Sequence, residues 1–243
     1  MLVFPMAGAS RRFSTAGYAA PKFMLPLRGQ SVFWRAVSSF RRYFDSVPFL
    51  FLTGPAPDHA AFVAAEVRRL GIRHHSIRAI GGPTRGQAET VALGLAGASE
   101  ATPLTIFNID TFRPDFTFPE GLFPAQASWL EVFPGSGPNW SYVLPSHGPE
   151  PIVCSTAEKR QVSNLCCTGL YHFRGVGDFQ RAFERELASP QSTELYVAPL
   201  YNHLIGLRAT VYYRLIPRDE VVFCGTPQEY EDLVGRWSGA PTA

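Results

Sequence analysis

Apolar positions in the first hundred residues alternate between two patterns. Continuous runs, "LVFPMA" (2–7), "VPFLFLT" (47–53) and "PLTIFNID" (103–110), read as strands buried on both faces. A more polar run, "IRHHSIRAI" (72–80), reads as an edge strand, with His74 and His75 on the surface. Between the runs the spacing turns helical. "SVFWRAVSSFRRYF" (31–44) is apolar at Val32, Phe33, Ala36, Val37, Phe40 and Phe44. "DHAAFVAAEVRRLG" (58–71) predicts a helix capped by Asp58 and closed by Gly71, and "GQAETVALGLAGA" (86–98) predicts another. Strands alternating with helices predict a parallel sheet covered on both faces.

The pattern loosens after residue 112. "ASWLEVF" (127–133) and "SYVLPS" (141–146) predict strands joined by the turn "PGSGPN", and "NLCCTGLYHF" (164–173) and "ATVYYRLI" (209–216) predict two more. "DFQRAFERELA" (178–188) and "YVAPLYNHLIG" (196–206) read as helices, the second interrupted by Pro199. "GTPQEYEDLV" (225–234) opens a last helix, and a small, polar tail after Trp237 reads as frayed. With no repeat and no long linker, the chain reads as one domain over 1–243. Its two lobes span about 1–112 and 113–236, followed by a tail at 237–243.

Composition narrows the function classes. A net charge of +2 with no basic run argues against a nucleic-acid partner. No apolar run reaches the ~18 residues of a membrane span, and residues 1–5 are too short for a signal sequence. Cys154, Cys166, Cys167 and Cys224 have neither metal-site nor simple disulfide spacing and read as reduced thiols of a cytoplasmic protein. Lysine occurs only at Lys22 and Lys159 in a chain that otherwise uses arginine, which singles out both positions as compact point charges.

The stretch "MAGASRRFSTAGYAAPKF" (6–23) leaves the first strand at the carboxyl edge of the sheet, where ligands of such folds collect. Gly8 allows close backbone approach, so the consecutive N–H groups of Ala7, Gly8 and Ala9 suit an anion, with Arg12 and Lys22 adding charge. Composition alone leaves a solvated loop equally open. Neither a G-x-G-x-x-G fingerprint nor a P-loop is present.

These residues resemble a known family, the sugar-phosphate nucleotidylyltransferases. Their signature, near G-x-G-x-R-[FL] followed by P-K, is matched at Arg12, Pro21 and Lys22. Ser10 stands where a second glycine is usual, and Arg11 where serine or threonine is usual. Four further segments follow in the family's order. "GQAETV" resembles the base-reading segment, with Gln87 as reader. "NID" resembles the strand end whose aspartate, here Asp110, binds Mg²⁺. "EKRQVSNLCCTGLY" resembles the sugar-lobe pattern, with Glu158 on the sugar, Lys159 on its phosphate and Gly169 allowing close approach. "TELYVAP" with Glu194 and the closing "GTPQEYEDL" complete the set.

The resemblance implies a Rossmann-like three-layer α/β/α sandwich with a mixed, mainly parallel sheet. It also implies transfer of a nucleotidyl group from a nucleoside triphosphate, a pyrimidine one on this reading, to a sugar phosphate or similar small phosphate. Mg²⁺ is the implied cofactor and capsule or other surface polysaccharide the implied destination. Phe223 and Cys224 replace the family's second metal aspartate, leaving Asp219 or Glu220 to substitute. The oligomeric state is open, a homo-oligomer included. Two other readings stand beside this one. A glycosyltransferase of similar fold usually shows D-x-D where this chain has Asn108-Ile109-Asp110. A catalytically silent nucleotide- or sugar-binding regulator would fit the replaced aspartate.

Overall fold

A computed structural model of the chain describes residues 1–238. The first half runs β1 (Leu2–Met6), α1 (Arg11–Thr15), β2 (Pro26–Leu27), β3 (Gln30–Ser31), α2 (Val32–Ser38), β4 (Phe49–Thr53), α3 (Pro57–Leu70), β5 (His75–Ala79), α4 (Gln87–Gly94), β6 (Leu104–Phe107) and β7 (Thr111–Phe112). The second half runs β8 (Ser128–Pro134), β9 (Ser141–Pro145), β10 (Val153–Glu158), β11 (Leu165–Phe173), α5 (Val176–Ala188), α6 (Leu200–Gly206), β12 (Val211–Leu215), β13 (Val222–Phe223) and α7 (Pro227–Ser238). The frayed tail expected after Trp237 lies, from residue 239 on, outside the described residues.

Among the described residues nine strands form one sheet, ordered β10–β9–β11–β6–β1–β4–β5, with β8 on β11 and β12 on β8. β1 is parallel to β4 and β6, and β4 to β5, as the alternation predicts. β11 runs antiparallel to β6, β8 and β9, so the sheet is mixed. Along β4, Leu50 and Leu52 enter the core beneath α4, α5 and α6, while Phe49 and Phe51 enter the core beneath α2, α3 and α7. Burial on both faces explains the unbroken apolar run and completes the α/β/α sandwich.

Several elements differ from their predicted form. Asp58 does not cap α3. Ala56 does, Pro57 takes the first helical position, where its missing N–H costs nothing, and Asp58 sits in the first turn facing the positive helix end. The helix expected over 31–44 stops at Ser38, and a tight turn at Arg41–Tyr43 brings Phe40 and Phe44 into one core cluster. Pro199 delays α6 to Leu200. The short helix α1, the β2–β3 hairpin and strand β10 were not apparent in the apolar pattern.

Candidate active site

At the end of β1 the chain turns through Ala7, Gly8 and Ala9 into Ser10, whose φ of 47° and ψ of 35° are left-handed. That backbone favours glycine, the residue usual at this position in the resembled pattern, and Ser10 adopts it while adding a hydroxyl. The hydroxyl accepts from the Lys22 backbone N–H at 3.4 Å, which joins the two ends of the loop. A Cβ on Gly8 would meet open space, so packing does not require glycine there. Phe13 anchors α1 in the core, its ring 5.5 Å from Tyr18 and 6.2 Å from Tyr230, and Arg11 and Arg12 remain exposed.

Lys22 opens a tight turn after Pro21, with Phe23 buried beside it. Its ammonium pairs with the Asp110 carboxylate across 88 residues of sequence. The Asp110 carbonyl accepts from the Cys224 N–H at 2.8 Å, where β13 returns antiparallel to β7. A Cβ on Gly225 would lie 3.1 Å from Asp110 Oδ2 and 3.6 Å from Glu229 Oε2, so glycine lets the closing turn rest against the aspartate. Glu229 Oε2 accepts from the backbone N–H groups of Gly225 (2.8 Å) and Thr226 (3.0 Å), and Thr226 Oγ1 accepts from Glu229 N–H at 3.2 Å. This is a capping box at the start of α7. Burial, with Asp110 and Glu229 adding to it, pushes the Cys224 thiol up to about 12.

The expected second metal ligands are placed differently. The Glu220 carboxylate lies 3.2 Å from Arg113, and its carbonyl accepts from the same guanidinium at 2.8 Å. Arg113 also donates to Glu131 at 2.8 and 3.2 Å, both side chains being fully buried. Asp219 lies in the same exposed turn, Arg218–Glu220. The carboxylate that the structure brings against the Asp110 turn is Glu229, which the sequence reading passed over. The spacing Thr226-x-x-Glu229 carried the signal.

Gln87, the first residue of α4, donates from Nε2 to Asn108 Oδ1 at 2.6 Å. Asn108 fills the space that a Cβ on Gly169 would take, 2.5 Å from its Nδ2. Gly169 has a φ of 95° and lies where the pairing of β11 with β8 shifts register. Its missing side chain admits Asn108. The start of α4 is also joined to the loop before α6. Leu195 N–H donates to Arg85 O at 3.0 Å, Ala88 N–H donates to Leu195 O at 2.8 Å, and a Cβ on Gly86 would fall 2.5 Å from Leu195 O.

On the far side of that joint, Glu158 ends β10 and accepts from the Ser141 hydroxyl. Burial raises its pKa against the opposing pull of Ser141 and Lys159. Lys159 is left-handed (φ 53°), its N–H donates to Trp140 O at 2.9 Å, and its ammonium donates to the Tyr196 hydroxyl. That bond raises the pKa of Lys159 and keeps it cationic. The Glu194 charge acts on Glu158, Lys159 and Tyr196 alike, so Glu158, Lys159 and Glu194 share one site. Tyr196 belongs with them and was not foreseen.

The lysine–aspartate pair stands at the carboxyl ends of the parallel strands of an α/β/α sandwich, in the crevice where such sheets bind their ligands. The crystal structure of a nucleoside-diphosphate-sugar pyrophosphorylase from Vibrio cholerae RC9 is 47% identical, covering 97% of this chain and 100% of that one, with a TM-score of 0.92. The chain belongs to this family of sugar nucleotidyltransferases, enzymes that join nucleotides to phosphorylated sugars. Two distant structures share the fold alone. An inositol-1-phosphate CTP transferase from T. maritima is 14% identical, covers 100% of this chain and 97% of that one, and has a TM-score of 0.72. A UTP-bound UGPase from Acinetobacter baumannii is 16% identical, covers 97% and 92%, and has a TM-score of 0.73. No family model matches the chain, and no curated protein does.

Proposed function

We propose that the protein transfers a nucleoside monophosphate from a pyrimidine nucleoside triphosphate to a sugar phosphate or similar small phosphate and releases pyrophosphate. The observation that carries this is a continuous line of contacts. It runs from Lys22–Asp110 along the chain to Asn108, across a hydrogen bond to Gln87, through its neighbour Ala88 to the Leu195 joint, and through Tyr196 to Lys159. In the reaction an oxygen of the acceptor phosphate attacks the α-phosphorus in line, a new P–O bond forms, and the bond to the β-phosphate breaks. The attacking phosphate is already ionised near neutral pH, so no general base is required. The protein holds and neutralises charge.

On this reading Ala7, Gly8 and Ala9 turn their N–H groups to the triphosphate, and Arg12 and Lys22 neutralise it. Glu158 and Glu194 meet the acceptor's hydroxyls, and Lys159 meets its phosphate. Gln87 spends one amide N–H on Asn108, and its second N–H and its carbonyl oxygen stay available to the edge of a pyrimidine base, the oxygen for the N3–H of uracil or thymine and the N–H for N3 of cytosine. Asp110 fits as a ligand for Mg²⁺. Among the described residues there is no group of three or more His, Cys, Asp or Glu to form a protein cage, and Mg²⁺ takes one or two carboxylates with phosphate oxygens and water. When bound, the ion supplies charge neutralisation at the phosphates. Glu229, beside the same turn, is a candidate second carboxylate, with its Oε2 engaged in capping α7.

Among the described residues the four cysteines are unpaired and no helix is long and apolar enough to cross a membrane. The family resemblance is what supports a cytoplasmic enzyme feeding surface-polysaccharide synthesis. The test is pyrophosphate release from UTP, dTTP and CTP, each with a panel of sugar 1-phosphates. Release with at least one of the three is expected, and the ratio among them identifies the base. No release with any pair, together with hydrolysis of or transfer from a nucleotide-sugar, would show a glycosyltransferase instead.

A further inference from the structure

Tyr196 meets no ligand in the reading above, yet the structure holds it in place from three directions. From behind, Leu195 is bonded on both sides to the segment that opens α4, and Gly86 leaves no gap between them. From below, Tyr196 N–H donates to Glu194 O at 3.1 Å. In front, its hydroxyl receives the Lys159 ammonium, with the Glu194 carboxylate acting on the same hydroxyl. Lys159 is constrained in turn by its left-handed backbone and its bond to Trp140 O. Left-handed backbone outside glycine is costly and persists where the surroundings over-determine it.

A lysine side chain is long and flexible, and an unrestrained ammonium samples many positions. One of its three N–H bonds is spent on Tyr196, which leaves two for a ligand and fixes their direction. We propose that Tyr196 is a positioning residue. It holds the Lys159 ammonium where the acceptor phosphate arrives, and the Leu195 joint sets its place relative to Gln87. The cost of ordering Lys159 is then met in the free protein rather than on binding. This rests on the reading that Lys159 meets the acceptor phosphate.

The experiment compares Tyr196→Phe with wild type and with Lys159→Ala, using glucose 1-phosphate and inorganic phosphate as probes in calorimetric titration and glucose 1-phosphate with UTP in pyrophosphate release. Tyr196→Phe keeps the ring and removes the hydroxyl. The expected result is a roughly tenfold weaker affinity for both probes and a tenfold higher KM for glucose 1-phosphate, with the KM for UTP within twofold and the melting temperature unchanged. A purely structural role would shift both KM values or the melting temperature. Unchanged phosphate affinity in Tyr196→Phe, where Lys159→Ala weakens it, overturns the role of Tyr196 alone. Unchanged affinity in Lys159→Ala, or no saturable binding of either probe by wild type, overturns the reading of Lys159 and this proposal with it.

Discussion

The residues proposed to meet the triphosphate stand on loops that follow parallel strands, whereas those proposed to meet the acceptor stand on a strand end and on a loop tied from behind. Ala7 to Ser10, Lys22 and Asp110 leave β1 and β6 at one edge, and Arg11 and Arg12 extend into solvent. Glu158 and Lys159 end an edge strand, and Glu194 and Tyr196 are held by α4. Parallel strands bring their loops together at one edge for every ligand, so the fold does the gathering. Antiparallel strands send their ends in both directions, so the acceptor side needs specific fastenings. The two sides should therefore fail differently: the first by losing charge, the second by losing a fastening.

The largest effect expected is on the first side. Lys22→Ala should lower pyrophosphate release about a thousandfold, some 4 kcal/mol of barrier, with an unchanged circular dichroism spectrum. A well-folded variant with nearly full turnover would remove the opening loop from the chemistry. Next comes the buried fastening of the closing arm. Glu131→Gln removes the buried counter-charge of Arg113, leaving it the half-exposed Glu220 carboxylate, and should cost about 3–5 kcal/mol in urea unfolding. A cost below about 1 kcal/mol would mean that Glu220 alone satisfies Arg113. Gly86→Ala sharpens the contrast, because its Cβ collides with Leu195, which serves both sides. We expect a loss of about 1–3 kcal/mol, with the KM of nucleotide and acceptor rising together. A change in only one KM would show the sides to be independent.

The smallest effect is a pH slope at His172, bonded to Thr105 at 2.8 Å and stacked on Trp129, where burial lowers its pKa to about 4. Between the unfolded value near 6.5 and this one, the unfolded chain binds a proton that the folded chain refuses. Stability is therefore full above about pH 6.5, falls by about 1.4 kcal/mol at pH 5.5, and levels off below about pH 4. Urea midpoints at pH 7.5 and 5.5 should differ more in wild type than in His172→Asn.

What the sequence made legible follows the same division. The apolar runs of β1, β4 and β6 are continuous because both faces are buried, and those of β1 and β6 lead to the opening loop and to Asp110. β10 was invisible because it is a short edge strand with Cys154 exposed and only Val153 and Ala157 as apolar anchors. Arg113 was one arginine among twenty-two cationic residues until its burial against Glu131 set it apart. The joint at Leu195 is made by backbone atoms of residues more than a hundred positions apart, and backbone contacts leave no trace in residue type except at Gly86. Both lysines stood out through their rarity, a signal of composition rather than pattern.

The Lys22–Asp110 pair has a consequence for the order of events. At rest the two charges satisfy each other, and the crevice neither attracts nor repels strongly at that point. An anion that captures the lysine leaves the carboxylate unmatched, and a cation that captures the carboxylate leaves the lysine unmatched. Each arrival thus prepares the place of the other, and by linkage the two must reinforce each other by the same factor. On the proposed reading, the resting pair would work as an exchange of partners, in which a triphosphate and its counter-ion would be admitted together more readily than either alone.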